Sequence, residues 1–166
     1  MSRSGQVNFT EAKEILQNEP VIVDMFSINT HLAYVLLDSG ASHSFMSLGF
    51  VDWHNIPLMA ILYAYRIYTL GAQICINTRT DTVSLVLATN TYRLQFMVLP
   101  GQGIDAILGM NWLWVYGVVL DLKQRVVELW LPSSEDRMSL LVPSNPSLSV
   151  ATHAEASPDL ASIPMV

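Results

Sequence analysis

Cysteine is nearly absent from this chain. Cys75 is the single one in 166 residues, so no internal disulfide and no cysteine-based zinc site can form. Charge is scarce too. Only 13% of residues carry it, against roughly 25% in an average soluble protein. The eight basic residues (Arg3, Lys13, Arg66, Arg79, Arg93, Lys123, Arg125 and Arg137) are scattered singly, against 14 acids. No positive stripe exists to neutralise a row of phosphates, which argues against nucleic acid as a partner. Long apolar runs are also missing. A bilayer span needs about 20 consecutive apolar residues. Residues 56–76 are broken by Pro57 and Arg66, and residues 106–120 carry Asn111. The opening MSRSGQVNF lacks the apolar stretch of a secretory signal. The expectation is a soluble, intracellular, cytoplasmic protein without a membrane partner.

What is present is apolar mass, 51% of the chain, enough to build a core. It is unevenly spread. Residues 1–19 read as a polar N-terminal extension with one short helix, capped by Asn8 and with Glu11 three positions on. Residues 20–131 are dense in Val, Ile, Leu, Met and aromatics. Residues 132–166 hold five of the eight prolines and eight serines, and read as a linker or tail.

The middle zone reads as strands. Val21–Phe26 and His31–Leu37 are β-rich runs joined by Ser27-Ile28-Asn29-Thr30. Residues 44–53 fit a short helix ended by His54-Asn55-Ile56-Pro57. Further strands are expected at 65–70, 73–77, 82–87, 92–99, 118–121 and 125–130, with turns at Gly71, 77–81 and Asn90. Many short strands at close spacing point to a closed or sandwiched β domain.

Two segments carry chemistry. In Tyr34-Val-Leu-Leu-Asp38-Ser39-Gly40-Ala41-Ser42-His43-Ser44-Phe45, an apolar strand delivers one carboxylate into a Ser-Gly turn. A carboxylate at a buried strand end is costly unless hydrogen-bonded or functional. An Asp that merely opens an Asx-turn fits the same tripeptide. The second segment is Phe96-Met-Val-Leu-Pro100-Gly-Gln-Gly-Ile-Asp105-Ala-Ile-Leu-Gly109-Met-Asn111-Trp112-Leu113, an apolar pair, a glycine and an aromatic turn.

Together the segments resemble the retropepsin family, the single-lobe aspartic proteases of retroviruses and retrotransposons. DSGASHSF is similar to the active-site motif of Gypsy-type retrotransposon proteases, and IDAILGMNWL to their second signature. The resemblance spans residues 20–131. The tail HAEASPDLASIP resembles the connector to reverse transcriptase in such polyproteins. The resemblance implies an all-β closed barrel of six to eight strands with one or two short helices. It implies an endopeptidase acting on extended polyprotein segments through Asp38, with no cofactor. Aspartic proteases need two carboxylates sharing a proton, and this chain has one D-S-G. Asp105 sits in D-A-I without the glycine turn. The implied assembly is a two-fold homodimer with Asp38 and its mate at the axis. Ser39 would hydrogen-bond across to the partner's loop, and Gly40 would let the backbones approach. Ala41 leaves the outer carboxylate oxygen without a neighbouring hydroxyl. Ser42 and His43 read as helix-start residues. Thr69-Leu70-Gly71-Ala72-Gln73 fits the tip of a flap over the substrate backbone, and fits an ordinary hairpin turn equally. Asn111 departs from the Asp common in the family, at a position that reads as structural.

Other patterns fall away. Gly101-Gln-Gly103-Ile-Asp-Ala106 matches a dinucleotide fingerprint but opens no helix. Gly40-Ala41-Ser42-His43-Ser44 starts like a nucleophile elbow but ends in Ser. His31, His43, His54 and His153 lack metal-ligand spacing. The four tryptophans read as core or dimer-edge residues. The rival class is a catalytically inactive module, vestigial or domesticated, that keeps the fold.

Overall fold

The structure, a computed structural model, describes residues 3–6, 22–69, 71–101 and 103–142. The helix expected around Asn8 lies outside them. Among the described residues thirteen strands and two short helices follow in chain order: β1 Arg3–Gln6, β2 Ile22–Ile28, β3 His31–Leu37, β4 Phe45–Ser47, α1 Leu48–His54, β5 Leu58–Thr69, β6 Ala72–Thr80, β7 Val83–Leu87, β8 Asn90–Leu94, β9 Met97–Leu99, β10 Ala106–Leu108, α2 Met110–Val115, β11 Val119–Asp121, β12 Val126–Trp130 and β13 Arg137–Leu141.

Ten strands form one curled sheet in the order β1-β5-β6-β9-β4-β10-β3-β2-β7-β8, and β11-β12-β13 form a second. The order is linear, with β1 and β8 at its ends, rather than the ring that closure into a barrel requires. The mostly-β class and the short helices agree with the sequence reading.

Two strands pair in parallel at the centre. Ala106, Ile107 and Leu108 of β10 lie opposite Val35, Leu36 and Leu37 of β3. Parallel strands are normally covered on both faces, and the sequence of β3 satisfies that. Ala33, Val35 and Leu37 enter one apolar cluster with Phe26, Met46, Phe50 and Leu108. Tyr34 and Leu36 enter the other with Val23, Phe45 and Ile107. Hence an unbroken apolar run, with no alternation, still makes a strand.

Local chemistry sets the turns. β2 and β3 meet across Asn29 and Thr30, both at positive φ (48° and 71°), the backbone that a two-residue hairpin needs to match strand twist. Asn29 also accepts the Ser84 N–H and donates its own to the Ser84 carbonyl, at 2.8 and 2.9 Å. α1 is capped by Ser47, whose Oγ accepts the Phe50 N–H at 3.2 Å. It stops at Asn55, in the left-handed region at φ 53°. The helix thus ends where expected but starts later. Residues 45–47 are strand, and Ser42 and His43 precede that strand instead of opening a helix.

β5 and β6 make the longest hairpin, with an irregular register between Ala60 and Tyr65. Cys75 is exposed on β6, opposite Arg66. The stretch expected to be a linker from residue 132 is folded in its first part. β13 pairs along the whole of β12, and Val142 is 1% exposed in the main cluster. β13 alternates Met138 and Leu140 inward with Arg137, Ser139 and Leu141 outward, which is enough to add a strand despite the flanking prolines. The extension expected over residues 1–19 likewise contributes β1, paired in parallel with Tyr65–Tyr68 of β5.

Candidate active site

Asp38 follows directly on β3. Its backbone N–H donates to the Leu108 carbonyl at 3.0 Å, continuing the parallel ladder past the strand. The chain then turns tightly: Oδ1 accepts the Gly40 N–H at 2.8 Å, and the Asp38 carbonyl accepts the Ala41 N–H at 3.2 Å. The Asx-turn that the tripeptide allows is therefore present. It coexists with a carboxyl partly withdrawn from water. Burial pushes the Asp38 carboxyl above its ordinary value, and the Gly40 and Ala41 N–H groups oppose that rise. Ser39 and Gly40 are exposed, while Ala41 is buried and its carbonyl accepts the Met110 N–H at 2.7 Å.

The second motif crosses this loop at Gly109. A Cβ built there would lie 2.0 Å from the His43 carbonyl oxygen and 2.8 Å from that of Ala41. Only glycine permits two backbones so close. Ser44 locks the crossing. Its Oγ, on a residue 2% exposed, accepts the Gly109 N–H at 3.1 Å and donates to Asn111 Oδ1 at 2.8 Å. Asn111 thus fills a structural place, its side-chain oxygen held by the Ser44 hydroxyl. The role of Ser44 was not read from the sequence. The signal available was a hydroxyl six residues after the Asp, in a loop that had to meet a glycine turn.

Asp105 is the other acid of the motif region, and it points elsewhere. It is 3% exposed. Its Oδ2 accepts the Tyr34 N–H at 2.8 Å, its N–H donates to the Tyr34 carbonyl at 3.0 Å, and its carbonyl accepts the Ser47 N–H at 2.8 Å. Oδ1 and the Tyr34 hydroxyl are buried without a hydrogen-bond partner. Burial raises the Asp105 carboxyl to about 7, against the effect of the Tyr34 N–H. Burial and the Asp105 charge raise the Tyr34 hydroxyl to about 12. Asp105 pins β10, β3 and β4 together, and the carboxylate available at the loop of one chain is that of Asp38.

Gly71 is at the tip of the β5–β6 hairpin with φ 83°, and a Cβ there would meet nothing within 4 Å. The turn expected at this glycine is present. The hairpin reaches the loop through Tyr65, whose ring meets His43 edge-on at 4.9 Å. The His43 Nδ1 lies 2.9 Å from the Ser42 hydroxyl. Among the described residues no group of three or more His, Cys, Asp or Glu could hold a metal ion, and no helix is long and apolar enough to cross a membrane.

The crossing of a D-S-G loop by an apolar-apolar-Gly strand agrees with a comparison of families. A model of the family described as retroviral aspartyl protease matches residues 2–135. The chain belongs to that family. Retroviral aspartyl proteases generally act as dimers on polypeptides. Among solved structures, the retroviral protease-like domain of Ddi1 from Leishmania major matches with a TM-score of 0.53 and 21% identity, over 76% of this chain and 97% of that one. The EIAV protease complexed with the inhibitor HBY-793 matches with a TM-score of 0.47 and 20% identity, over 63% and 96%. No curated protein matches.

Proposed function

We propose that this chain is an aspartic endopeptidase of Gypsy-type retrotransposon origin, which cleaves extended polyprotein segments as a homodimer. The observation that carries the reading is the placement of Asp38. A strand covered on both faces delivers one partly buried carboxyl into an exposed Ser-Gly turn, braced from behind by the second motif. One chain supplies one such carboxyl, and a two-fold axis supplies the second.

In this reading the two Asp38 carboxyls hold one proton between them, because like charges at that range do not both ionise. The ionised one takes a proton from a water as that oxygen attacks the scissile carbonyl carbon. The protonated one donates a hydrogen bond to the carbonyl oxygen. Collapse of the tetrahedral adduct breaks the C–N bond, and the departing nitrogen takes the proton. Ser39 ties the two loops, and Gly40 allows their approach. Ala41, buried beneath the loop, leaves the outer carboxylate oxygen without a neighbouring hydroxyl at the substrate site, and Gly71 closes over the substrate backbone by adding main-chain hydrogen bonds.

Cleavage of a mixed peptide library between about pH 4 and 6 tests the reading. Wild type should cleave. Asp38→Asn, and wild type with a transition-state-mimicking inhibitor of aspartic proteases, should not. Equal hydrolysis by wild type and Asp38→Asn would remove Asp38 from the mechanism. No cleavage by a folded wild-type dimer would favour the inactive module.

A further inference from the structure

The two strands that lead to the Asp38 loop are fastened at their other end by one buried acid. β3 and β10 pair in parallel from Val35–Ala106 to Leu37–Leu108. One residue beyond that pair lie Asp38 on one strand and Gly109 on the other, and the Asp38 N–H donates to the Leu108 carbonyl. One residue before it lie Tyr34 and Asp105. Asp105 engages both backbone groups of Tyr34 and the Ser47 N–H of β4. A change at this junction therefore reaches Asp38 along three bonded pairs of residues.

The junction suits a neutral acid and not a carboxylate. Asp105 Oδ1 and the Tyr34 hydroxyl are buried without a hydrogen-bond partner. With Oδ2 taken by the Tyr34 N–H, the acid's proton belongs on Oδ1. The cavity beside Asp105 is lined by Phe45, Met46 and Ser47 of β4 and by Leu99 and Ile104, and measures about 10 Å³. That is the lower limit for a single water. Tyr65 is the other titratable side chain in the apolar cluster of Tyr34 and Ile107. Asp24 of β2 stands opposite Val35, whose side chain enters the other cluster. No cation faces Asp105: burial and the Tyr34 N–H are what act on its charge. A charge placed there is solvated by almost nothing.

We propose that Asp105 is a positioning residue for Asp38: while protonated it holds β3 and β10 together beneath the loop, and on ionising it lets them part, so that hydrolysis is curtailed on the alkaline side by a group remote from the reacting atoms. The inference rests on the endopeptidase reading above and adds a regulation to it. Ionised Oδ1 must gain water or the Tyr34 hydroxyl, and the strand pair has to shift to supply either. A displacement of about 1 Å at a reacting group is enough to cost about 100-fold in rate. The rise of the Asp105 carboxyl to about 7 sets the change near neutrality.

The test compares full-length wild type with Asp105→Asn on a library peptide that wild type cleaves. Rates are taken from about pH 5 to pH 8, at a temperature where circular dichroism shows both chains folded throughout. The amide keeps a neutral group at position 105 at every pH. Both proteins share the Asp38 pair, so its own titration cancels in the ratio of their rates. That ratio, variant over wild type, should rise about tenfold across the range, in kcat rather than KM. A constant ratio would overturn the proposal. Hydrogen exchange of the Asp38 N–H, read by NMR relative to the amides of β12, follows the loop without hydrolysis and apart from whole-chain opening. Its protection should fall across the range in wild type and stay level in Asp105→Asn. Protection that holds level in wild type would equally overturn the proposal, and this profile decides alone if the variant does not fold. Falling protection in a wild type that cleaves no peptide would remove the endopeptidase and leave the hold of Asp105 on the loop standing.

Discussion

Strands β3 and β5 draw on much the same residue types. HLAYVLL and LMAILYAYRIYT are both aliphatic and aromatic runs with few charges. In β3, five successive residues from Ala33 to Leu37 are buried, because β10 and β2 flank it and an apolar cluster covers each face. In β5, Leu58, Met59, Leu62, Tyr63 and Tyr68 are exposed, Leu62 at 86%. The difference is one of neighbours rather than composition. β3 is held by a motif that returns from 71 residues further along the chain, as the Tyr34–Asp105 bond shows. β5 belongs to a hairpin whose register is interrupted between Ala60 and Tyr65. A strand covered on both faces and a hairpin with an exposed aliphatic face thus come from similar sequence, and packing decides which is which.

Four changes sharpen that contrast, taken from the largest expected effect. Gly109→Ala forces a Cβ into the His43 carbonyl, which is backbone and cannot swing away. A loss of about 4 kcal/mol or more is expected, read as a collapse of the urea midpoint or as failure to fold. A melt equal to wild type would show that the crossing is looser than its geometry.

The next lever is pH. The Asp105 carboxyl sits at about 7 in the fold, above its unfolded value of 3.8, so the folded state holds the proton more tightly. Stability from this group is complete below the unfolded value. It declines as pH rises and is lost as pH passes through about 7. Urea unfolding should show a loss on the order of 3 kcal/mol between about pH 4 and pH 8. Asp105→Asn should flatten most of that slope. An unchanged slope in the variant would place the titration elsewhere.

Ser44→Ala strands the buried Gly109 N–H and releases Asn111. The expected cost is about 2 kcal/mol, with peptide hydrolysis reduced more than the melt because the braced loop is the one that carries Asp38. Leu62→Ser, on the exposed β5 hairpin, should change stability by less than about 0.5 kcal/mol. A large loss there would mean that the hairpin is covered in the working molecule.

Sequence patterns reached different depths in different places. The bounds of β3 were legible because an apolar run ended at Asp38 with turn residues after it. The end of α1 was legible because Asn55 can take the left-handed backbone before Pro57. β4 was not legible. Phe45-Met46-Ser47 is strand because β10 and β9 offer edges on both sides, a tertiary fact without local signature. β13 could have been read from its alternation, which the surrounding proline and serine obscured. At the site, Asp38 and its turn stood out as residues, and so did the paired motif. The hydroxyl of Ser44 and the acid of Asp105 did not, since their importance lies in partners more than 60 positions away.

The lone thiol of Cys75 has a practical consequence. It is exposed, it lies on the β5–β6 hairpin opposite Arg66, and it has no competitor anywhere in the chain. A nitroxide or fluorophore attached there marks one point per copy without engineering away other cysteines. In an assembly of two copies the labels define a single inter-spin distance across the symmetry axis. A shift in that distance on adding a peptide or an inhibitor would report movement of the hairpin, observed from outside the Asp38 loop.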